Sequence, residues 1–258
     1  MYRNVLIFSF LIGGFLFAQK TGVEEIYEQR LYQNSGQDTL LYRWLAPLEL
    51  KEGEQYPLVL FLHGSGERGN DNTAQLVHVM PRFSDPERRN KYPAYVFAPQ
   101  CPRDDYWPNG AFSDNGQAYR LNETMNPTLS LTMEALTYMI SIYPIDTSRI
   151  YVVGLSMGGA GAWELALRYA NIFAAAVPIC GFTDTRYAAQ LIDLPIWAFH
   201  GIDDNVVSVE LSRQMVKAVN QAGGKAIYTE FPGVGHDSWV PAFPDEPFIY
   251  DWLFSQKK

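Results

Sequence analysis

The chain is poor in cysteine and histidine, with two and four in 258 residues, and poor in long stretches of any one character. Two cysteines, Cys101 and Cys180, cannot carry a disulfide framework; each follows an apolar strand-like run, so strand order decides whether they can meet. Basic residues are outnumbered, 20 Lys and Arg against 28 Asp and Glu, and the formal charge of −8 is scattered rather than gathered in runs. Such a chain has no broad attraction for nucleic acid or an anionic membrane. No internal repeat or low-complexity linker divides it, and its length and 47% hydrophobic content suit one well-buried core.

The longest apolar run, "VLIFSFLIGGFLFA", follows Met1-Tyr2-Arg3-Asn4 and ends at Ala18. A spanning helix needs about 20 apolar residues, and Gly13-Gly14 interrupts this shorter run. A basic start, a short apolar stretch and a small final residue predict a signal peptide over 1–18, with a single domain over 19–258. No cysteine stands at the cleavage point to receive a lipid. The expected product is exported, periplasmic or secreted, without stable membrane insertion. Cleavage removes only Arg3 among the charged residues, so −8 becomes −9.

Past the leader, "EEIYEQRLYQ" and "TLLYRWLAP" flank the turn signal "NSGQD" and read as a hairpin. The runs "YPLVLFLHG", "AYVFAPQ", "RIYVVGLS", "FAAAVPICG" and "LPIWAFHG" have the pattern of strands buried on both faces, and "KAIYTEF" is a more amphipathic strand. Helical stretches, "TAQLVHVM", "NPTLSLTMEALTYMISIY", "GGAGAWELALRYA", "SVELSRQMVKAVNQAG" and "EPFIYDWLFSQ", alternate with them. Alternation from about residue 57 onward predicts an α/β fold with a mainly parallel, twisted sheet and helices on both faces. Residues 100–125 form the longest irregular stretch, of a length that is functional or mobile in most compact domains.

In such sheets, sites form at the carboxyl ends of the strands. There "VVGLSMGG" places Ser156 between Gly154 and Gly158, a Gly-x-Ser-x-Gly turn from strand to helix. The pattern suits a nucleophile, because the serine is exposed on a strained turn whose neighbours must lack clashing side chains. A hydroxyl needs a base. Of the four histidines, His63 and His200 end buried strands and read as loop props, and His78 lies in a helical stretch. His236, in "PGVGHDSW" after the last strand, is free to reach Ser156 as general base and acid. "FHGIDDNVV" offers Asp203 and Asp204 to orient that base, in the chain order Ser, Asp, His. Two backbone N–H groups are needed for an oxyanion. One is expected from Met157, at the start of a helix, and one from "LHGSGERG", at Ser65 or Gly66. That turn lacks the Gly-Lys-Ser/Thr ending of a nucleotide loop.

These motifs, with "FAPQCP", cover about residues 55–256 and resemble the α/β-hydrolase superfamily, and within it exported bacterial carboxylesterases. The resemblance extends to phospholipase/carboxylesterase, prolyl-oligopeptidase-like and dienelactone-hydrolase-like proteins and to feruloyl and acetylxylan esterases. It implies a sheet of about eight strands with the N-terminal hairpin at its edge. It implies Ser156 as nucleophile, His236 as base and Asp204 as acid, since the family's His-Gly-x-x-Asp falls on His200, Gly201 and Asp204. Ser65 and Met157 match its oxyanion donors, and no metal or organic cofactor is implied. Ser208 departs from the family, which often carries proline there. The family's strand order sets the strands ending at Cys101 and Cys180 three positions apart, roughly 14 Å at 4.8 Å per strand, so two free buried thiols are expected.

The expected activity is hydrolysis of carboxylic esters, small or linked to plant polysaccharide as feruloyl or acetyl groups. Tyr106 and Trp107 in the long loop, Trp239 after the histidine and Phe182 after a strand end are candidates for an aromatic substrate wall. A prolyl-oligopeptidase-like peptidase would use the same triad, but the chain has no room for a propeller domain. A non-catalytic binding protein on this fold would be expected to have lost a triad member, and dienelactone hydrolases commonly carry cysteine in place of Ser156.

Overall fold

Short apolar runs form the central strands of one eight-stranded sheet in the computed structural model, which describes residues 22–258. The leader expected at 1–18 lies outside the described residues. The strands are β1 Glu28–Gln33, β2 Thr39–Leu45, β3 Tyr56–Leu62, β4 Tyr95–Pro99, β7 Ile145–Leu155, β8 Ala175–Ile179, β9 Trp197–Gly201 and β10 Ile227–Phe231, with β5 Gly110–Phe112 and β6 Tyr119–Leu121 forming a separate hairpin. The order is β1-β2-β4-β3-β7-β8-β9-β10. The hairpin β1–β2 joins antiparallel to β4, and all later pairings are parallel. The α/β-hydrolase architecture expected from the sequence is therefore present, with the antiparallel hairpin at one edge.

Helices are α1 Val23–Ile26, α2 Met80–Phe83, α3 Pro86–Lys91, α4 Pro127–Ile142, α5 Met157–Arg168, α6 Val209–Gln221, α7 Trp239–Ala242 and α8 Phe248–Ser255. Side chains of α4, α5 and α6 pack on one face of the sheet, and those of α2, α7 and α8 on the other. The sheet is thus buried on both sides, which is why all seven residues of β3 and all five of β4 and β8 are buried.

Two segments depart from the sequence reading. Residues 23–26 form a helical turn rather than the start of β1, which sets Val23 and Ile26 on one side against the α2–α8 layer. "TAQLVHVM" is not one helix: a 3₁₀ turn at Ala74–Leu76 precedes α2 and α3, whose Pro81 and Pro86 are tolerated only in a first turn.

The long segment after β4 is firmly tied. Asp105 accepts from the N–H and hydroxyl of Thr128 at 3.0 and 2.6 Å, capping α4. Glu164, wholly buried on α5, accepts from Asn109 N–H at 2.9 Å and from Arg168 at 2.8 Å. Arg168 in turn donates to the carbonyls of Asn122 and Glu123. Burial raises the Glu164 carboxyl above its usual range despite these donors.

Cys101 and Cys180 are free and buried at the ends of β4 and β8, three positions apart in the sheet. Burial pushes both thiols up to about 12. Titration with a chromogenic disulfide reagent should find no fast-reacting thiol in the native protein and two after denaturation without reductant; none after denaturation would mean a bridge.

Candidate active site

Ser156 joins β7 to α5 at φ 54°, ψ −119°, a backbone region that costs a non-glycine residue about 1–3 kcal/mol. The glycines around it make the turn possible. A Cβ on Gly154 would lie 2.1 Å from Gly158 O, and one on Gly158 would lie 2.0 Å from Leu62 O. Both positions exclude any side chain, so α5 can approach β7 and β3 closely enough to hold the serine out at the sheet edge.

His236 arrives on the loop after β10. That loop crosses directly over Gly201, where a Cβ would stand 2.1 Å from Gly235 O, and is pinned by Asp203 N–H donating to Val234 O at 3.0 Å. The imidazole is thereby delivered to Ser156, with Nε2 2.8 Å from Oγ, and its Nδ1–H donates to Asp204 Oδ2 at 2.7 Å. The neighbouring Asp203 is exposed, whereas the Asp204 side chain is fully buried, which selects between the two. Asp204 Oδ1 accepts from Val206 and Val207 N–H at 2.8 and 2.9 Å. Burial acts to raise this carboxyl, but the donors, His236 foremost, outweigh it and hold it below its usual range. It stays ionised opposite the base.

The two expected oxyanion donors flank the serine. Met157 is the first residue of α5, where N–H groups have no intrahelical acceptor. Ser65 opens a 3₁₀ turn after β3, and the turn lies against the nucleophile: a Cβ on Gly64 would be 3.6 Å from Ser156 Cβ. Among the described residues neither N–H donates to a protein acceptor. Arg68, at the end of the turn, lies over the Tyr106 ring at 4.2 Å and donates to Arg103 O and Asp105 O.

Trp107 corrects the sequence reading. It is fully buried, its Nε1–H donates to His63 O at 2.9 Å, and its side chain fills the space beside Gly161. It braces the strand end below the site and cannot line a substrate wall. His63 is a prop as expected: its Nδ1–H donates to Gly64 O at 2.7 Å and Nε2 accepts from Cys101 N–H at 2.9 Å. Burial lowers it to about 4, so it stays neutral.

Trp239 is half-buried beside the base, its ring 5.6 Å from that of His236 and 4.9 Å from that of His78, whose Nε2 lies 3.3 Å from Glu67. His78, Trp239 and the exposed Val77 and Val240 border a cavity of about 220 Å³. On the opposite layer, Phe182 follows Gly181, which packs on the first turn of α5. Its ring meets Phe112 and Tyr119 of the β5–β6 hairpin, both at 4.8 Å. Phe112 and Tyr119 were missed in the sequence; "GAFSDNGQAYR", two aromatics either side of an Asn-Gly turn, was the available hairpin signal.

Cys180, Asp204 and His236 form the one group of three possible metal donors among the described residues, with donor atoms within 4.8 Å of one another. Two of these donors are already hydrogen-bonded to each other, and the thiol is held protonated by burial.

Comparison with known proteins agrees with this geometry. The chain is 26% identical over 202 residues to a probable carboxylesterase of Oryza sativa subsp. japonica, covering 70% of this chain and 81% of that protein. A thermostable esterase of known structure superposes with a TM-score of 0.82 at 33% identity over 92% of this chain, which spans 64% of the esterase's length. The ferulic acid esterase of the anaerobic fungus Anaeromyces mucronatus shares the fold, with a TM-score of 0.65 at 14% identity over 89% of this chain and 90% of that one. The profile of the phospholipase/carboxylesterase family matches residues 46–248, a span that holds the elbow serine, its histidine and its aspartate, and the chain belongs to that family.

Proposed function

We propose that the chain is an exported serine carboxylesterase that works through an acyl-enzyme on Ser156. The observation that carries this reading is the unbroken line from Ser156 Oγ through His236 to Asp204, on an elbow whose flanking N–H groups are free. His236 Nε2 takes the hydroxyl proton as Oγ attacks the ester carbonyl, and Asp204 stabilises the imidazolium so formed. The N–H groups of Met157 and Ser65 receive the oxyanion. His236 then returns the proton to the leaving alcohol and activates the water that frees the acid.

Feruloyl or acetyl esters of plant polysaccharide are the proposed substrates. The trio of Phe182, Phe112 and Tyr119 supports an aryl acyl group, because Phe112 is 46% exposed and Phe182 directly follows Gly181, which packs on the first turn of α5. The test is hydrolysis of p-nitrophenyl acetate, p-nitrophenyl butyrate and methyl ferulate by wild type and Phe182→Ala. Loss of one aromatic wall is expected to lower kcat/KM for methyl ferulate about 10-fold while leaving the acetate nearly untouched. Equal losses on all three would count against the aryl subsite. Folded wild-type protein that hydrolyses none of them would overturn the ester reading itself.

A further inference from the structure

Asp204 faces two histidines. Besides His236, its Oδ2 has His200 Nε2 at 3.1 Å, and both side chains are fully buried. The same Nε2 lies 3.0 Å from Val207 O. A carbonyl and an ionised carboxylate can only accept, so a bare nitrogen lone pair there would face two oxygens; Nε2 must carry the hydrogen. Behind the ring, Ser212 Oγ of α6 stands 2.8 Å from Nδ1 and 3.1 Å from Gly181 O. The Ser212 hydroxyl has one hydrogen for two acceptors, Gly181 O and, with the ring hydrogen on Nε2, the nearer Nδ1; shared between them, it fixes the ring.

We propose that His200 is a positioning residue of the hydrolytic site, holding the 204–207 loop through Val207 O and presenting its Nε2–H to Asp204 so as to set the basicity of His236. The inference rests on the ester-hydrolase reading above. Burial lowers the His200 imidazole below its ordinary range, so it acts as a neutral donor. The positive end of its N–H dipole offsets part of the Asp204 charge. Without it, the carboxylate would favour the His236 imidazolium more strongly, and the base would be blocked by a proton at a higher pH.

Other groups near the pair are accounted for. His200 is opposite Glu230 in the β9–β10 register, and Glu230 is paired with Arg213 at 2.5 Å. His236 is faced by Ser156, Asp204 and the Cys180 thiol, with Asp237 next in the chain and the His78–Glu67 pair beyond Trp239. Among the described residues, His200 Nε2 is the one ring nitrogen besides His236 Nδ1 that stands at Asp204 Oδ2. His236 and the two backbone donors supply the remaining contacts of that carboxylate.

The test compares full-length wild type, His200→Leu, His200→Gln and Ser212→Ala in kcat/KM against pH on p-nitrophenyl acetate, with the low-field Nδ1–H proton resonance of His236 recorded on the same proteins. In His200→Leu, kcat should fall about 10-fold with KM little changed, and the acid limb should move up by about half a pH unit. The glutamine amide can present an N–H near the position of Nε2, so His200→Gln should restore most of both effects. Ser212→Ala, which loosens the ring without removing it, should shift the limb in the same direction by less, and serves if His200→Leu does not fold. The low-field resonance should move in His200→Leu and return in His200→Gln. An acid limb and resonance unmoved in the variants, or glutamine no better than leucine, would overturn the assignment whatever the loss of activity. Wild type inactive on esters would instead defeat the ester reading, and the resonance would still decide the role of His200.

Discussion

Replacing Ser156 with alanine should abolish ester hydrolysis, lowering kcat by about 10⁶-fold, the scale seen when a triad nucleophile is removed elsewhere. The fold should be retained. Ser156 Oγ has one side-chain partner, His236, and its backbone contacts, N–H to Ile179 O at 2.9 Å and O to Ala160 N–H at 3.0 Å, do not depend on the hydroxyl. Alanine suffers the same φ of 54° as serine, so the strain is unchanged. Glycine relieves it, and Ser156→Gly should be equally inactive yet more stable than Ser156→Ala by about 1 kcal/mol. The measurements are kcat on p-nitrophenyl butyrate and denaturant midpoints for the three proteins. Activity within 100-fold of wild type in the alanine variant would remove Ser156 as nucleophile.

The second large effect is expected from Asp204→Asn, by about 10⁴-fold in kcat, and its cause is a tautomer. Asp204 Oδ1 is fixed by two backbone donors, so the amide oxygen must take that place and the NH₂ group must take the place of Oδ2. There it meets His236 Nδ1 at 2.7 Å and His200 Nε2 at 3.1 Å, both donors in the wild type. His236 relieves the clash by moving its hydrogen to Nε2, toward Ser156 Oγ, where a lone pair is needed. The variant should bind substrate with nearly unchanged KM while kcat collapses at neutral pH. Recovery of rate at alkaline pH fits this account, because hydroxide can assist removal of the serine proton. A loss of less than tenfold would show that the base does not depend on Asp204 for its orientation.

Much of this site was legible in the sequence because its chemistry is written at strand ends. The apolar runs before Gly64, Ser156, Cys180 and Gly201 fix a parallel sheet, and parallel strands deliver their following loops to one edge. The choice of Asp204 over Asp203 came from family resemblance; locally the two carboxylates look alike, and only the burial of one beneath the His236 loop separates them. Trp107 was misread because an aromatic in a long loop looks available, while a tryptophan needs an acceptor for its N–H when buried and here finds His63 O. His200 was correctly read as a prop, but what it braces depends on an approach of 3.1 Å across a turn that residue spacing alone does not encode. The same limit hid Phe112 and Tyr119 as the partners of Phe182, since contact between a strand end and a distant hairpin is a property of packing.

The most direct test of the central claim is labelling of the folded wild-type protein with a fluorophosphonate, followed by mass mapping of the adduct. One adduct per chain is expected, on the peptide bearing Ser156, and its formation should be suppressed by a slowly turned-over ester and absent in Ser156→Ala. An adduct on another residue, or no adduct on folded protein, would contradict the assignment of Ser156 as an activated nucleophile.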